Sequence, residues 1–269
     1  MTLLCEYSSV CSILLSFQTS ELWSWQLAAN RDEWLARPSA PPMVLSRSPR
    51  IVGGKDLEAG GTWFAIQPTA HMFAGLTNRR YGSDPEWRGE VSRGLLITEI
   101  LKAPTARRAL DRLQTLLSET SVNHFMMLIG DADTLHYVDY DSGRLTMDEL
   151  SPGHYVLSNT PLADGETTKM RWLKHLLIEE LSVEPHAFVK RAQTTLAKET
   201  LPSRGTPDSP ATSLDALNVR SPAYGTCSSA IAVCHVRDGI QYLATRGNPS
   251  DYPFEDVSVL LVDIEGRDV

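Results

Sequence analysis

The sequence predicts an α+β fold in which two layers of helices cover β-sheet. Strand-like apolar runs lie at both ends of the chain and in its middle, and two pairs of helical segments separate them. This order of strands, helices, strands, helices and strands is typical of sheets covered by helices. With 269 residues, the chain forms one large domain or two small ones and can bury a sizeable core. No internal repeat and no long low-complexity linker marks a boundary.

Composition and charge exclude several classes of function. The hydrophobic content of 42% and the charged content of 22% are ordinary for a soluble globular protein. A net charge of −8 without a long basic stripe argues against a nucleic-acid partner. No window of about 18 uncharged apolar residues exists, so no membrane span is predicted. The first 20 residues lack a basic n-region and are interrupted by Glu6, which argues against a signal peptide.

The cysteines predict a reducing, cytoplasmic location. No CxxC pair occurs among the four of them, which are Cys5, Cys11, Cys227 and Cys234. Cys234 and His235 are adjacent and would point to opposite faces of a strand, so neither a metal site nor a cofactor is predicted.

The N-terminal half is predicted to consist mainly of strands. Residues 12–17 and 22–29 are apolar runs joined by four polar residues, which is typical of a hairpin. The other elements predicted here are a Pro-rich loop at 37–42, an acidic turn between the glycine pairs 53–54 and 60–61, and a hairpin of strands 62–67 and 71–78.

Helical spacing and short strands alternate in the remainder. Helices are predicted at 91–101, 105–117, 167–180 and 184–198. Strands are predicted at 125–129, 134–139, 154–158, 228–236, 240–245 and 257–264, and a polar surface loop at 201–222.

A set of polar side chains follows or ends the predicted strands. The first hairpin would lay Cys11 beside Asn30 and Asp32, and Asn78 and Asn159 end later strands. Amide groups can donate hydrogen bonds to an oxyanion without bringing a charge, and a thiol beside them is a candidate nucleophile. Each asparagine alone is more typical of a turn cap. Taken together with Cys11 and Asp32, however, the asparagines favour a catalytic site.

Several segments resemble the NRDE family, also called the transport and Golgi organisation protein 2 family. They are Asn30-Arg31-Asp32-Glu33, residues 56–63, Leu76-Thr77-Asn78, Ser92-Arg93-Gly94, Ser158-Asn159-Thr160-Pro161 and Tyr224-Gly225-Thr226. The resemblance runs from about Cys11 to the C-terminus and implies a branch of the N-terminal nucleophile hydrolases, with a four-layer αββα sandwich. Within that superfamily the pattern is most similar to choloylglycine hydrolases and penicillin V acylases.

The resemblance also implies roles for individual residues. Cys11 would be the nucleophile, Asp32 would orient its α-amine, and Asn78 and Asn159 would hold the oxyanion. Substrate binding would fall to Asn30 and Arg31. Arg31 has two readings, a pair with Glu33 or a contact to a substrate carboxylate.

Two departures from the family pattern affect the chemistry. Relatives that cleave amides usually carry Arg where this chain has Ala29, so a cation that could favour the thiolate or anchor a carboxylate is missing at that position. Family members typically begin Met-Cys, whereas ten residues precede Cys11 here. An N-terminal nucleophile needs its own α-amine as base, with a pKa of roughly 7.7–8.0, and an amide nitrogen cannot serve.

We therefore expect a single domain over residues 11–269 and a misassigned start or a short extension over residues 1–10. Val10 can be encoded by GTG, which initiates as Met in bacteria and would give Met-Cys. Cleavage of a propeptide, or a true extension with a structural Cys11, are the alternatives.

Two functions of different classes follow. The first is a cysteine amidohydrolase or acyltransferase acting on a linear C–N amide of a small molecule. The second is a haem or lipid/acyl-CoA binding and trafficking protein that kept the fold without the chemistry. No CxxCH haem signature occurs, and the oligomeric state is not encoded in a readable pattern.

Overall fold

The computed structural model describes residues 11–79, 82–84, 86–201 and 215–262. These residues form a mixed α/β structure with two large antiparallel sheets. The strands are β1 (Ser12–Ser20), β2 (Trp23–Trp34), β3 (Ser39–Arg47), β4 (Arg50–Asp56), β5 (Phe64–Gln67), β6 (Met72–Asn78), β7 (Phe125–Gly130), β8 (Leu135–Asp141), β9 (Arg144–Leu150), β10 (Gly153–Leu157), β11 (Tyr224–His235), β12 (Gly239–Ala244) and β13 (Glu255–Asp256). The helices are α1 (Arg93–Ile100), α2 (Ala106–Glu119), α3 (Thr168–Leu176) and α4 (Phe188–Leu196).

The strands divide into a six-stranded and a seven-stranded sheet. The first has the order β10-β1-β2-β11-β12-β13, and the second runs from β3 to β9 in sequence order. Strand β1 therefore lies between β10 and β2, although β10 begins only at Gly153, far beyond Ser20 where β1 ends. Because β1 is paired on both sides, the backbone of Cys11, the residue before it, is held in place.

Three apolar clusters hold the sheets and helices together. One cluster joins residues of both sheets, with Trp25, Phe64, Phe73 and Tyr242 among its largest side chains. A second packs the seven-stranded sheet against α1 and α2, and a third packs the six-stranded sheet against α3 and α4. Each sheet thus buries apolar side chains on both faces, which explains the nearly continuous apolar runs of its inner strands.

Most predicted elements are confirmed. The first hairpin is β1 and β2, the second is β5 and β6, and the four predicted helices correspond to α1–α4. Helix α2 begins after Thr105, whose hydroxyl oxygen accepts a hydrogen bond from the Arg108 amide. A five-residue π turn, Leu177–Leu181, continues α3, and a short 3₁₀ turn, Pro185–Ala187, leads into α4.

The Pro-rich segment predicted as a loop is wrong in part, because residues 39–47 form the edge strand β3. The register of β3 against β4 shifts between Ala40 and Met43, which is where Pro41 and Pro42 lie. Proline has no N–H to donate, and an edge strand with an irregularity accommodates it. Strand β4 was also missed, since its Gly53-Gly54 pair suggested a turn.

The predicted last strand, 257–264, is likewise wrong in its described part. Residues 258–261 form a short 3₁₀ helix, and the strand β13 ends before it at Asp256. The Asp256 carboxylate accepts a hydrogen bond from the Ser258 amide and starts this turn. Residues 263–264 lie outside the described residues, as does 202–214 of the predicted surface loop.

Among the residues that the structure describes, no helix is both long and apolar enough to cross a bilayer.

Candidate active site

Cys11 lies at the start of β1, between the ends of two neighbouring strands. Ile13 pairs with Leu157 of β10, and Ser12 pairs with Asn30 of β2. Continuing the same antiparallel registers brings Cys11 beside Asn159 on one side and beside Arg31 on the other. Its thiol donates a hydrogen bond to the Asp32 carbonyl oxygen at 3.7 Å. Cys11 is 6% exposed and lines a cleft of about 300 Å³.

Asp32 lies in β2 on the face that packs against α3 and α4. Its Oδ1 accepts a hydrogen bond from the Thr226 hydroxyl at 2.6 Å, and its side chain is fully buried. Burial raises the pKa of Asp32 to about 7, although Lys169, Thr226 and Arg31 act in the opposite direction. Asp32 thus has a carboxyl group with a pKa near neutral pH, and its own backbone carbonyl accepts the hydrogen bond from the Cys11 thiol.

Asn30 lies on the same face of β2 but does not line the cleft. Its amide donates to the carbonyl oxygens of Leu196 and Leu217, and its Oδ1 accepts from the Ser229 hydroxyl. These three bonds tie β2 to the end of α4, to the segment before β11 and to β11 itself. The side chain predicted to bind substrate therefore braces the wall of the sheet behind Asp32.

Asn78 and Asn159 meet although they belong to different sheets. Asn159 Nδ2 donates to the Asn78 carbonyl oxygen at 3.2 Å, and next to it the Thr77 hydroxyl donates to the Ser158 carbonyl oxygen at 2.5 Å. The side chain of Asn78 lines the Cys11 cleft and makes no hydrogen bond within the described part of the chain. The strand ends thus bring two amides into the region of the thiol.

Arginine and carboxylate side chains line the cleft together. Arg31, Arg37 and Arg93 line it together with Glu33 and Asp56. Arg37 binds Asp56, with 2.7 Å between Nη2 and Oδ2, and Arg31 Nη2 lies 3.8 Å from Glu33 Oε2. The pairing of Arg31 with Glu33 that the sequence left open is thus present at long distance.

Arg93, the first residue of α1, is a site residue that the sequence analysis did not assign. Its Nη1 donates to the His124 carbonyl oxygen at 2.6 Å. Burial lowers the pKa of Arg93 to about 10, while Glu33 and Cys11 act to raise it, so the group stays charged at neutral pH. Arg93 thus supplies a cation near Cys11, although the arginine that relatives carry at the position of Ala29 is absent. The segment Ser92-Arg93-Gly94 was noted for its resemblance, but nothing in its spacing pointed to the cleft.

Lys169 of α3 is the second residue that was missed. It is 6% exposed and interacts electrostatically with Asp32 and Cys11, and burial lowers its pKa. Lys169 shares a helix face with the buried Leu173 and Leu176 at spacings of four and seven residues. A lysine on the apolar stripe of a helix was the signal that could have identified it.

The site combines a thiol, nearby cations and amide donors where strand ends of the two sheets meet. Cations favour a thiolate over a thiol, and amides can bind a developing oxyanion. Among the described residues, no group of three His, Cys, Asp or Glu side chains is placed to hold a metal ion.

A family model described as Transport and Golgi organisation 2 matches residues 10–246 of the chain. The human Transport and Golgi organization protein 2 homolog is 33% identical over 161 residues, which cover 57% of this chain and 56% of that protein. The Drosophila melanogaster Transport and Golgi organization protein 2 is 30% identical over 114 residues, covering 39% of this chain and 40% of that protein. The matched stretch thus spans little more than half of the human relative.

Among solved structures, the chain is similar to penicillin V acylase from Agrobacterium tumefaciens. The TM-score is 0.49 at 13% sequence identity, and the match covers 95% of this chain and 89% of the acylase.

Proposed function

The chain belongs to the Transport and Golgi organisation 2 family, and from that premise we propose that it is a cysteine-dependent amidohydrolase or acyltransferase. In this proposal residues 11–269 form one domain, a four-layer αββα sandwich of the N-terminal nucleophile type, and the working chain begins at Cys11. The observation that carries the proposal is the position of Cys11 at the start of a central strand, lining a cleft with Asp32 buried behind it.

Acylation begins with transfer of the Cys11 thiol proton to the α-amine of the same residue. The sulfur then attacks the carbonyl carbon of a linear amide, so that an S–C bond forms and the carbonyl electron pair moves to oxygen. Amide N–H groups of Asn78 and Asn159 stabilise this oxyanion. Collapse of the intermediate breaks the C–N bond, and the α-ammonium gives its proton to the departing nitrogen.

Deacylation releases the acyl group from the thioester. In a hydrolase, water gives its proton to the α-amine and attacks the thioester carbon, and the S–C bond breaks to yield a carboxylic acid and the thiol. In an acyltransferase, an amine or hydroxyl acceptor takes the place of water. Asp32 positions the α-amine in both steps, and Lys169 balances the charge of Asp32 within the buried layer.

The alternative is a haem or lipid/acyl-CoA binding protein on the same fold. No His or Met is among the described residues that line the cleft, and Cys11 is the potential haem ligand there. The structure offers no specific observation that favours this role, so it stands as the outcome if the thiol is inert.

Alkylation with iodoacetamide tests the proposal on a chain that begins at Cys11. We expect Cys11 to be labelled at least about ten times faster than Cys227 and Cys234 at neutral pH, since cations next to a thiol favour the reactive thiolate. The two reference cysteines are suitable because burial raises the pKa of both, that of Cys234 to about 12. Peptide mass spectrometry after short labelling times gives the three rates. If Cys11 reacts no faster than Cys227, the thiol is not activated and the binding role replaces the catalytic one.

A further inference from the structure

We propose that the Cys11 cleft contains a carboxylate-binding subsite formed by Arg93, Arg31 and the N-terminus of α1, so that the substrate is a small amide with a free carboxylate. The assignment of the substrate as an amide rests on the proposed function of Cys11. The carboxylate-binding subsite itself rests on three separate observations.

The first observation is the guanidinium of Arg93, which forms no ion pair with a carboxylate that the structure describes, although Glu33 attracts it from a longer distance. Arg37 is held by Asp56 through two short contacts, Nε at 2.9 Å and Nη2 at 2.7 Å. Glu33 lies 3.8 Å from Arg31 and 4.0 Å from Arg37. Within the described part of the chain Arg93 has no ion pair, and its short hydrogen bond goes to the neutral carbonyl group of His124. The cleft therefore has more cationic than anionic side chains.

The second observation is an unsatisfied donor on Arg31. This side chain is 5% exposed, and its Nη1 has no hydrogen-bond partner among the residues that the structure describes. Arg31 lines the same cleft as Arg93. Burying a guanidinium donor without an acceptor is costly, and an acceptor supplied by a ligand accounts for its position.

The third observation is the orientation of α1. Its N-terminal residues Ser92, Arg93 and Gly94 all line the cleft. The first N–H groups of a helix have no intrahelical acceptor and carry partial positive charge. The Ser92 side chain does not cap them, and the first turn contains no acidic residue. An anion in the cleft would satisfy these groups together with the two arginines.

Charge and size select a carboxylate among the anions. The cleft of about 300 Å³ is at the small end of ligand sites. Among the described residues that line the cleft, Arg93 is the arginine without an ion pair, which matches a monoanion, and the planar carboxylate fits a guanidinium fork in a bidentate manner. The substrate class that follows is a small N-acyl amino acid or a short peptide whose terminal carboxylate lies close to the scissile amide.

Two alkylating reagents of nearly equal size test this subsite in the 269-residue chain. Iodoacetate carries a carboxylate and iodoacetamide a neutral amide, and both place the same CH₂ group on sulfur as iodide leaves. We expect the iodoacetate-to-iodoacetamide rate ratio at Cys11 to exceed that of 2-mercaptoethanol by about tenfold, as one charge-assisted hydrogen bond implies. Arg93→Gln should reduce the ratio to that of 2-mercaptoethanol. Arg93→Lys should retain part of it, and the exposed control Arg108→Gln should retain all of it.

Competition identifies the anion. Acetate should slow the reaction of iodoacetate with Cys11 in the unmodified chain, and inorganic phosphate should do so less. A ratio equal to that of 2-mercaptoethanol overturns the subsite, as does an unchanged ratio in folded Arg93→Gln. If Arg93→Gln does not fold, Arg93→Lys and the acetate competition decide. Protection by phosphate alone overturns the carboxylate assignment. Failure of the catalytic proposal is read separately, from the iodoacetamide rate in a chain that begins at Cys11.

Discussion

Asp32 and Lys169 are groups of opposite charge that are buried together behind the candidate nucleophile. Desolvation raises the pKa of Asp32 to about 7 and lowers the pKa of Lys169. Both shifts favour the neutral form of each group, while their mutual attraction favours the charged pair. The balance between the two forms therefore changes near neutral pH, and with it the field at Cys11.

This balance predicts the pH dependence of Cys11 alkylation in a chain that begins at Cys11. Below pH 7 Asp32 is protonated and does not favour the ammonium form of the α-amine; above pH 7 its carboxylate does. The iodoacetamide rate at Cys11 should rise through a step near pH 7 in addition to the rise expected of any thiol. Asp32→Asn should abolish this step and slow labelling at higher pH. Cys234 in the same samples serves as the control, since Asp32 is not among the groups that shift its pKa, and an identical step in Asp32→Asn would contradict the role of Asp32.

At the residue scale, the sequence revealed the groups that belong to a motif and missed those that do not. Cys11, Asp32 and Asn78 were singled out by strand ends and by resemblance. Lys169 lies in an otherwise ordinary amphipathic helix, and Arg93 becomes informative only when α1 is placed against the seven-stranded sheet. Which side chains meet in a site depends on how distant elements pack, and a local sequence pattern does not contain that information.

At the element scale, the position of α1 depends on a close backbone contact. The Thr62 amide donates to the Gly94 carbonyl oxygen at 3.1 Å, and a Cβ on Gly94 would lie 2.9 Å from backbone atoms of Thr62. A Cβ on Gly61 would lie 2.4 Å from the carbonyl carbon of Gly94. The two glycines therefore allow the loop before β5 to lie directly on the N-terminus of α1, next to Arg93.

Gly94→Ala should destabilise the protein by about 1–3 kcal/mol, because the added methyl group must displace backbone rather than a flexible side chain. This sign is opposite to the helix propensities of the two residues, which favour alanine. Urea unfolding measures the change, and the iodoacetate preference of Cys11 should fall as Arg93 moves. Gly153→Ala is the matched control, since its nearest contact would be an ordinary 3.6 Å. Equal stability of Gly94→Ala and the unmodified chain would show that α1 is not held by this contact.

Two of the strands that the sequence did not predict, β3 and β9, were missed for the same physical reason. Strand β9 has mainly exposed side chains, and β3 carries two prolines, so neither shows the apolar run of an inner strand. Both are the outermost strands of their sheet. The turn from β8 to β9 uses Ser142 and Gly143, both at positive φ, as a two-residue hairpin requires. The other inner strands were predictable because burial on both faces fixes their composition; β4 is the exception, since its Gly53-Gly54 pair interrupts the apolar run.

At the scale of the whole molecule, the site exists only when the two sheets are assembled. Cys11 and Asp32 belong to the six-stranded sheet, Asn78 to the seven-stranded one, and Arg93 to a helix on the outer face of the latter. The sequence predicted the presence of helices and sheets and the candidate nucleophile. The cation-rich cleft was not predicted, because it forms only when segments that are distant in the sequence pack together.

The whole-molecule prediction concerns where the working chain begins. Within the described part of the chain, the three apolar clusters are built from residues between Ile13 and Leu261. We therefore expect a chain that begins at Cys11 to unfold at nearly the same temperature as the 269-residue chain. Its Cys11 should nevertheless react faster with iodoacetamide, because only there is the α-amine available as a base. A chain with one alanine before Cys11 is the matched control, since it displaces the amine by a single residue; it should lose the faster reaction while keeping its melting temperature. Equal rates in all three chains would mean that the α-amine takes no part, and the binding role would then explain the fold better than catalysis does.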